Sequence, residues 1–253
     1  MSSSKVKSAE RVMAVLDLLG NRASPMTALE IAAALELPKS TTHHLLNVMQ
    51  ERRYVAYWPD LRVWSLGTSA LEIGAAYLRT GHLQHAGQRH LAALTARTGQ
   101  TSHLAVLQGT DVLYLDKREP RGSGIRLVTD VGTRLPAHLT AVGRSILALL
   151  PDAELRAVFT EYEWPRRTDV QISSLEALRE VLAQVREAGH AVEVGSTTSG
   201  IECVAAPVVG PDGRAVAAIG IAMVAGTRPR PAEEYAADVR DLAQQFSRTL
   251  SGV

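Results

Sequence analysis

The hydrophobic and polar positions of the first 67 residues follow the period of short helices and then of short strands. Apolar residues recur at helical spacing, and residues typical of helix caps and turns separate the segments. The pattern predicts helices over 8–19, over a segment with Thr27 as its N-cap, and from about Pro38 to Glu51, followed by strands over 54–57 and 61–66. Two helices joined by a very short turn and followed by a β-hairpin are typical of a winged helix-turn-helix.

The rest of the chain alternates helix-like and strand-like segments. A helical period returns after Gly67, where Ser69 and Glu72 have the spacing of a capping box. Further on, strands are predicted over 101–107, 111–117, 125–129, 190–194, 203–209 and 215–223, and helices over 83–97, 140–150, 152–159, 174–188 and 231–250. The pattern divides the chain into a winged helix-turn-helix over 1–67, a connector helix over 68–81 and a second domain over 82–253.

The third helix carries the side chains expected of a helix that enters the major groove of DNA. Short hydroxyls and basic groups at a helix start can reach phosphates and base edges. The predicted DNA contacts are Lys39, Ser40, Thr41, Thr42, His43 and His44 on the helix, Arg52 and Arg53 after it, and Arg62 near the tip of the hairpin. The alternative is that these residues form the polar face of an ordinary surface helix.

Composition narrows the class of protein without naming it. Of 253 residues, 46% are hydrophobic and 21% charged, which is typical of a globular protein. The net charge is +1, and residues 1–67 carry 8 Lys and Arg against 6 Asp and Glu, so the basic excess there is small. Cys203 is the only cysteine, which excludes a disulfide within the chain. The sequence has no long apolar run and no signal-peptide pattern, so a cytoplasmic protein without membrane contact is expected.

Six segments of the sequence resemble the IclR family of bacterial transcriptional regulators. They are KSAERVMAVLDLL, ALEIAAALELPKSTTHHLLNVMQERRYV, WSLGTSALEIGAAY, TGQTSHLAVLQGTDVLYLDKRE, VGTRLPAHLTAVGRSILALL and GIECVAAPVVGPDGRAVAAIGIA. Their order along the chain is also that of the family. The resemblance implies an α+β fold, with a GAF-like effector-binding domain built on an antiparallel sheet. His44 stands where the family commonly has Arg, which would weaken a phosphate contact and change operator preference or its pH dependence.

The resemblance also implies a pocket for a small metabolite, often a carboxylate. By matching position, the effector-binding residues are Ala141, Val142 and Gly143, whose N–H groups would receive an anion, together with Glu193, Cys203, Gly220 and Ala222. Gly220 and Ala222 replace residues that are often Ser, which favours a roomier pocket for an aromatic acid or its derivative. His138 is either a core histidine or a ligand donor, and the hydroxyls of loop 195–200 either contact the ligand or form a simple turn.

Two other functions compete with a ligand-controlled repressor. Cys203 with His138 could form a thiol enzyme, although a strand of small apolar residues is a poor place for a thiolate. An architectural DNA-binding protein without a ligand is the second. The histidines at 82, 85 and 90 are expected to be solvated rather than to bind metal, and no cofactor is predicted. One recognition helix gives too little specificity, so we expect a homodimer on a pseudo-palindromic operator, and the resemblance implies a homotetramer.

Overall fold

The computed structural model describes residues 6–22, 24–122, 129–170, 172–227 and 229–252. The chain divides into one unit over Met1–Gly81 and a second over His82–Val253. Each unit has its own hydrophobic core. Most of the strand predicted over 125–129 lies outside the described residues, and Thr129 itself belongs to no strand.

The described residues of the first unit form four helices and a two-stranded antiparallel hairpin. Its elements are α1 (Lys7–Gly20), α2 (Ala28–Ala34), α3 (Lys39–Glu51), β1 (Val55–Trp58), β2 (Val63–Leu66) and α4 (Thr68–Thr80). The core joins Val15 of α1, Ile31 of α2, Leu46 of α3 and Trp64 of β2, all of which are buried. Helices α1 and α2 and strand β2 share this core with one side of α3, and the polar side of α3 faces outward.

The turn between α2 and α3 follows directly from the local sequence. Thr27 is the N-cap of α2, as predicted, and it forms a capping box in which its backbone N–H and that of Glu30 each donate to the other residue's side chain. Glu36 adopts a left-handed conformation (φ 51°) in the turn, and α3 begins directly after Pro38. The two helices are therefore joined by a short turn of defined geometry.

The capping box predicted at Ser69 is wrong. Gly67 is the N-cap of α4, and a Cβ at this glycine would overlap the carbonyl oxygen of Arg53. Ser69 instead binds the end of α3. Its hydroxyl donates to the carbonyl of Arg52 at 3.0 Å, and its backbone N–H donates to the carbonyl of Arg53 at 3.0 Å. The first turn of α4 is thus tied to the last turn of α3.

Where it is described, the second unit is a six-stranded antiparallel sheet between two layers of helices. The strands are β3 (Thr101–Gln108), β4 (Asp111–Arg118), β5 (Arg134–Pro136), β6 (Ala191–Val194), β7 (Ile201–Val209) and β8 (Ala215–Val224), in the order β5-β4-β3-β8-β7-β6. The helices are α5 (His82–Thr98), α6 (Ala141–Leu147), α7 (Asp152–Val158), α8 (Leu175–Ala188) and α9 (Ala232–Ser251). One core packs α5 and α9 on the sheet, and the other packs α6, α7 and α8 on its opposite face.

Two predictions for this unit need correction, and one strand was not predicted. The helix predicted over 140–150 ends at Leu147 and is preceded by a short 3₁₀-helix, Ala137–Leu139. The short edge strand β5 has no clear alternating pattern and was not predicted. His90 is buried rather than solvated, because its ring stacks on Phe246 with centroids 4.7 Å apart. No group of three or more metal-ligating side chains occurs among the described residues.

Gly143 is the point at which the 3₁₀-helix and α6 approach each other most closely. A Cβ at this position would overlap the backbone of Ala137. The side-chain hydroxyl of Thr140 caps α6 by accepting from the backbone N–H of Gly143 at 2.9 Å. Glycine is therefore required here for packing, and the close approach fixes the start of α6 against the sheet.

Candidate DNA-binding surface and effector pocket

The exposed face of α3 brings together most of the residues predicted to contact DNA. Lys39, Ser40, His43 and His44 are exposed and Thr41 is half-buried. The opposite face of the helix, including Leu46, lies in the core. This arrangement presents one row of polar side chains to solvent, as a helix that enters the major groove requires.

Thr42 does not belong to this surface. Its side chain is fully buried, and its hydroxyl donates to the carbonyl of Pro38 at 3.2 Å. Its place in the helix puts it on the core side, near Leu45 and Leu46 in sequence. The prediction that Thr42 reads DNA is wrong, because a hydroxyl satisfied inside the helix cannot reach a base edge.

Asn47 is an exposed residue of α3 that the sequence analysis missed. It lies four residues after His43 and three after His44, so the three side chains share one face of the helix. An Asn amide can bind the major-groove edge of adenine with two hydrogen bonds. The helical spacing from His43 was the signal that could have identified it.

The predicted arginine contacts lie on exposed, sharply turned backbone. Arg53 and Arg62 are exposed and have left-handed backbones, with φ of 60° and 55°. Arg53 follows α3 directly after Arg52, and Arg62 lies in the turn between β1 and β2. Exposed guanidinium groups at these places suit contacts to phosphate or to the minor groove.

A small cavity of about 30 Å³ lies on the face of the sheet that α6 covers. The lining residues come from β3, β4, α6, β6, β7, β8 and two loops. They are His103, Tyr114, Thr129, Thr140, Ala141, Val142, Glu193, Thr197, Thr198, Ile201, Cys203, Val204, Ala205, Gly220, Ile221 and Ala222.

Six of the eight predicted effector-binding residues line this cavity. They are Ala141, Val142, Glu193, Cys203, Gly220 and Ala222. Antiparallel pairing brings them together, because Cys203 of β7 lies opposite both Glu193 of β6 and Ala222 of β8. Thr197 and Thr198 of loop 195–200 also line the cavity. The hydroxyl-rich loop is thus part of the pocket wall.

Gly143 and His138 are not among the described lining residues. The N–H of Gly143 is already bound to the Thr140 hydroxyl, so it is not free to receive an anion. His138 is fully buried among Phe159, Tyr162 and Trp164, with ring centroids 5.0–6.4 Å from its own. Burial lowers the pKa of His138 to about 4. The role proposed for these two residues in the pocket is not supported by where they lie.

Gly220 lines the pocket but does not enlarge it. A Cβ at Gly220 would lie 2.7 Å from the carbonyl oxygen of Val204 and 2.8 Å from the Cβ of Ala205. The neighbouring strand β7 therefore occupies the space that a side chain would take. The expectation that Gly220 makes the pocket roomier is wrong, because β7 lies too close to β8 at this position to leave any space.

Glu193 is the most unusual group of the pocket. Its side chain is 1% exposed, and its Oε1 accepts from the backbone N–H of Ser196. Its Oε2 is buried and receives no N–H or O–H donor from the described residues, and the thiol of Cys203 is a weak donor beside the carboxylate. Burial raises the pKa of Glu193, whereas the Ser196 amide and the charge of Arg144 act in the opposite direction. The pocket wall thus contains one oxygen that still has the capacity to accept.

Arg144 lies behind this carboxylate and joins three segments of backbone. Its Nε donates to the carbonyl of His138 at 2.8 Å, its Nη1 to the carbonyl of Val192 at 3.3 Å, and its Nη2 to the hydroxyl of Ser196 at 3.1 Å. The 3₁₀-helix, β6 and loop 195–200 are therefore held by one buried guanidinium. No local pattern in the sequence points to Arg144, because its hydrogen-bond partners are up to 52 residues away along the chain.

His103 and Tyr114 are further pocket residues that the sequence did not reveal. Burial lowers the pKa of His103 to about 3, and its Nε2 lies 2.7 Å from the hydroxyl of Thr129. Burial also raises the pKa of Tyr114 well above its ordinary value. The imidazole is consequently neutral and the phenol protonated at neutral pH. The pKa of Cys203 is likewise raised by burial, so its thiol keeps its proton.

Known proteins match the chain along almost its whole length. The IclR helix-turn-helix domain matches residues 8–59, and the bacterial transcriptional regulator IclR C-terminal domain matches residues 75–248. The chain is 32% identical over 246 residues to the HTH-type transcriptional regulator XynR of Escherichia coli (strain K12), covering 97% of this chain and 96% of XynR. It is 28% identical over 242 residues to the HTH-type transcriptional repressor AllR of Klebsiella pneumoniae, covering 96% and 88%.

A solved structure agrees with these matches. The IclR transcriptional regulator from Alicyclobacillus acidocaldarius superposes with a TM-score of 0.84 at 27% identity, over 98% of each chain. A helix-turn-helix with an exposed polar helix, followed by an antiparallel α+β domain, defines a DNA-binding transcriptional regulator. The chain belongs to the IclR family. Among the described residues, no helix is long and apolar enough to cross a bilayer.

Proposed function

We propose that this protein is a repressor that binds a pseudo-palindromic operator and is controlled by a small-molecule effector in the pocket of its second unit. The observation that carries the proposal is the exposed polar face of α3, held by a core that includes Leu46 and Trp64. The similarity to AllR, which is named a repressor, supports the direction of control. The family resemblance implies an effector that is a carboxylate, and the expected aromatic acid derivative now depends on Ala222 alone, since Gly220 adds no room.

The proposed operator contacts are revised from those predicted. Base edges are read by Ser40, His43, His44 and Asn47, with Lys39 and Thr41 at the start of the same helix. Arg52, Arg53 and Arg62 bind phosphates or the minor groove. This set leaves out Thr42 and adds Asn47.

The first unit offers a surface through which two copies can associate. Helix α4 leaves Leu71 and Leu78 exposed on one side and Ile73 and Tyr77 exposed on another, with exposed fractions between 48% and 74%. A second copy of this chain is the occupant that we propose, because two recognition helices are needed to read a long site with useful specificity. Assembly of the homodimer into a homotetramer is part of the same proposal.

The hydrogen bonds of Ser69 support a route from effector to operator. Because Ser69 binds the carbonyls of Arg52 and Arg53, any movement of the first turn of α4 acts on the end of α3. The chain continues from α4 into the second unit at Gly81. An effector can change operator affinity only by binding one arrangement of these helices more tightly than the other.

The proposal is tested with fragments of double-stranded DNA from the genome that encodes the protein. We expect selection from such fragments to yield a preferred site with two half-sites, and its affinity to fall steeply with salt. Addition of a metabolite that raises the Tm of the protein should then release the site. Absence of any salt-dependent preference among the fragments would refute the regulator reading of α3.

A thiol enzyme remains the alternative from a different class of function. The pocket position of Cys203 is the only observation in its favour, and the raised pKa of the thiol opposes nucleophilic attack. His138 cannot serve as its base, since it lies in the aromatic cluster and not on the pocket wall. We expect the folded protein to resist thiol alkylation, and rapid alkylation with turnover of a substrate would favour the enzyme.

A further inference from the structure

The charges on the pocket wall point to the chemistry of the effector. Four described lining residues are titratable: His103, Tyr114, Glu193 and Cys203. At neutral pH the first is neutral and the two at positions 114 and 203 are protonated. Glu193 is therefore the only described lining residue that can carry a charge, and that charge is negative. A carboxylate by itself finds no cation on this wall.

The carboxylate of Glu193 is held in a fixed orientation. Oε1 is bound by the Ser196 amide, and the hydroxyl of Ser196 in turn accepts from Arg144. With Oε1 occupied and the side chain 99% buried, Oε2 receives no N–H or O–H donor from the described residues, and the weakly donating thiol of Cys203 is the group beside the carboxylate. Leaving a buried acceptor unsatisfied costs free energy, and a donor on a ligand would remove that cost.

We propose that the effector carries a hydroxyl group that donates to Oε2 of Glu193, so that the protein responds to hydroxylated molecules and rejects their deoxy analogues. This inference rests on the proposed effector pocket and specifies which ligands it accepts. It narrows the expected carboxylates and aromatic acids to those with a hydroxyl placed to reach β6.

A hydroxyl suits this acceptor better than a protonated amine does. The guanidinium of Arg144 is buried and its charge lowers the pKa of Glu193, so one cation already acts on this carboxylate. A second cation beside Oε2 would meet repulsion from Arg144. A neutral O–H donor satisfies Oε2 without this repulsion, and the hydroxyls of Thr197 and Thr198 can bind further oxygens of such a ligand.

Matched pairs of molecules test the inference on the full-length protein. Each pair consists of a hydroxylated molecule and its deoxy analogue, such as lactate with propionate, 4-hydroxybenzoate with benzoate, and gluconate with hexanoate. Binding is measured as the increase in Tm and as Kd by titration calorimetry. We expect the hydroxylated member of every pair that binds to have a Kd lower by about tenfold or more, because a site built to bind a hydroxyl leaves its own acceptor unpaired when the hydroxyl is missing.

Two variants connect this preference to one oxygen atom. Glu193→Gln keeps the size of the side chain and an oxygen for the Ser196 amide, and it should reduce the preference for the hydroxyl to about threefold or less, since a hydrogen bond to a charged acceptor is the stronger one. Glu187→Gln removes a carboxylate from the exposed end of α8, and it should keep the wild-type preference. Unchanged circular dichroism and a cooperative thermal transition for both variants confirm that they fold.

The outcomes separate this inference from the proposed function. Equal binding of both members of the pairs, or a preference that Glu193→Gln leaves intact, would overturn the hydroxyl inference and leave the effector pocket standing. No binding by any member, in a library extended to further pairs, would contradict the effector pocket itself and the hydroxyl inference with it. Binding of deoxy acids alone would mean that Glu193 is protonated and donates to a carboxylate, which also overturns the inference.

Discussion

The exposed face of α3 and the pocket beneath α6 are both polar, but they satisfy their polar groups in opposite ways. On α3, the side chains of Ser40, His43 and Asn47 are exposed, so water can bind whatever DNA does not. In the pocket, Glu193 and His103 are almost fully buried and depend on fixed partners such as Ser196 and Thr129. The difference teaches that polar substitutions on the exposed face of α3 should alter binding alone, whereas those around the pocket should also alter stability.

The largest expected effect comes from adding one methyl group at Gly143, at the start of α6. Gly143→Ala places a Cβ against the backbone of Ala137, and neither backbone segment can move without displacing the start of α6. We expect a loss of about 3 kcal/mol in the free energy of unfolding, or failure to fold, since overpacking against backbone is among the costliest changes. The loss is measured by urea unfolding.

Gly74→Ala is the matched control for this prediction. Gly74 lies in α4 with open space where a Cβ would be, so alanine should stabilise the helix by about 0.5–1 kcal/mol. A loss of stability at Gly143 and a gain at Gly74 would show that the close packing at the start of α6 causes the loss. Similar small effects from both substitutions would mean that the 3₁₀-helix and α6 are not packed as described.

The next effect is a loss of stability at acid pH that comes from the second unit. The folded pKa values of His103 and His138 are about 3 and about 4, below the ordinary value of 6.5. Between each folded pKa and 6.5, the unfolded chain binds more protons than the folded chain does. The free energy of unfolding is therefore highest above about pH 6.5 and decreases as the pH falls. The expected slope is about 1.4 kcal/mol per pH unit for each histidine below pH 6.

The slope of the unfolding free energy against pH is measured by urea unfolding of the full chain between about pH 4.5 and 7.5. This range extends about two units below the ordinary pKa of histidine. His138→Phe, which keeps an aromatic ring among Phe159, Tyr162 and Trp164, should remove about half of the slope. Gly74→Ala, which removes no titratable group, should keep all of it. A wild-type slope in His138→Phe would show that His138 is protonated in the folded protein.

The two regions also differ in how far the sequence could predict them. Helix α3, its core side at Leu46 and most of its exposed face follow from local spacing, because every residue concerned lies within one helix. Thr42 was misplaced because the run of polar residues at the helix start hides which side faces the core. The family resemblance placed Glu193 and Cys203 in the pocket, but local spacing could not, since strand pairing brings them together.

Other features were beyond sequence reasoning for a physical reason. The hydrogen bonds of Arg144 join residues as far apart as positions 138 and 196, and no periodicity records such a contact. The lack of space at Gly220 depends on the separation of β7 and β8, which a residue type does not reveal. Ser69 fits a capping pattern in sequence, yet the carbonyl groups at the end of α3 are its partners.

A smaller effect separates the two sides of α3. Asn47→Ala should weaken binding to the selected operator by about tenfold and relax the preference at one base pair, since it removes an amide from the exposed face. Thr42→Val keeps the shape of a buried side chain and removes its hydrogen bond to Pro38. It should cost about 1 kcal/mol in stability and leave the base preference unchanged.

Both variants are measured by fluorescence anisotropy on the operator and on versions with single base-pair changes. Relaxed preference in Thr42→Val together with unchanged binding in Asn47→Ala would break the assignment of faces. The helix would then have to meet DNA through the side that is packed against the core, which would contradict the fold of the first unit.

The smallest expected effect concerns Arg53, where a DNA contact and a strained backbone meet in one residue. Arg53 has a φ of 60°, a conformation that an L residue adopts at a cost and glycine adopts freely. Arg53→Ala and Arg53→Gly both remove the cation, so both should lower the slope of log affinity against log salt by about 1. Glycine should also raise the stability of the first unit by about 0.5–1 kcal/mol, whereas alanine should not.

The pair of variants distinguishes a phosphate contact from an effect of the backbone on α3. Equal salt slopes in the two variants, with different stabilities, would assign the loss of affinity to the missing charge. If affinity instead follows stability, so that Arg53→Gly binds as tightly as the wild type, the arginine acts by shaping the turn into β1 and not by touching DNA. An unchanged slope in Arg53→Ala would remove Arg53 from the proposed operator contacts, because an exposed cation that neutralises a phosphate must release counterions when it binds.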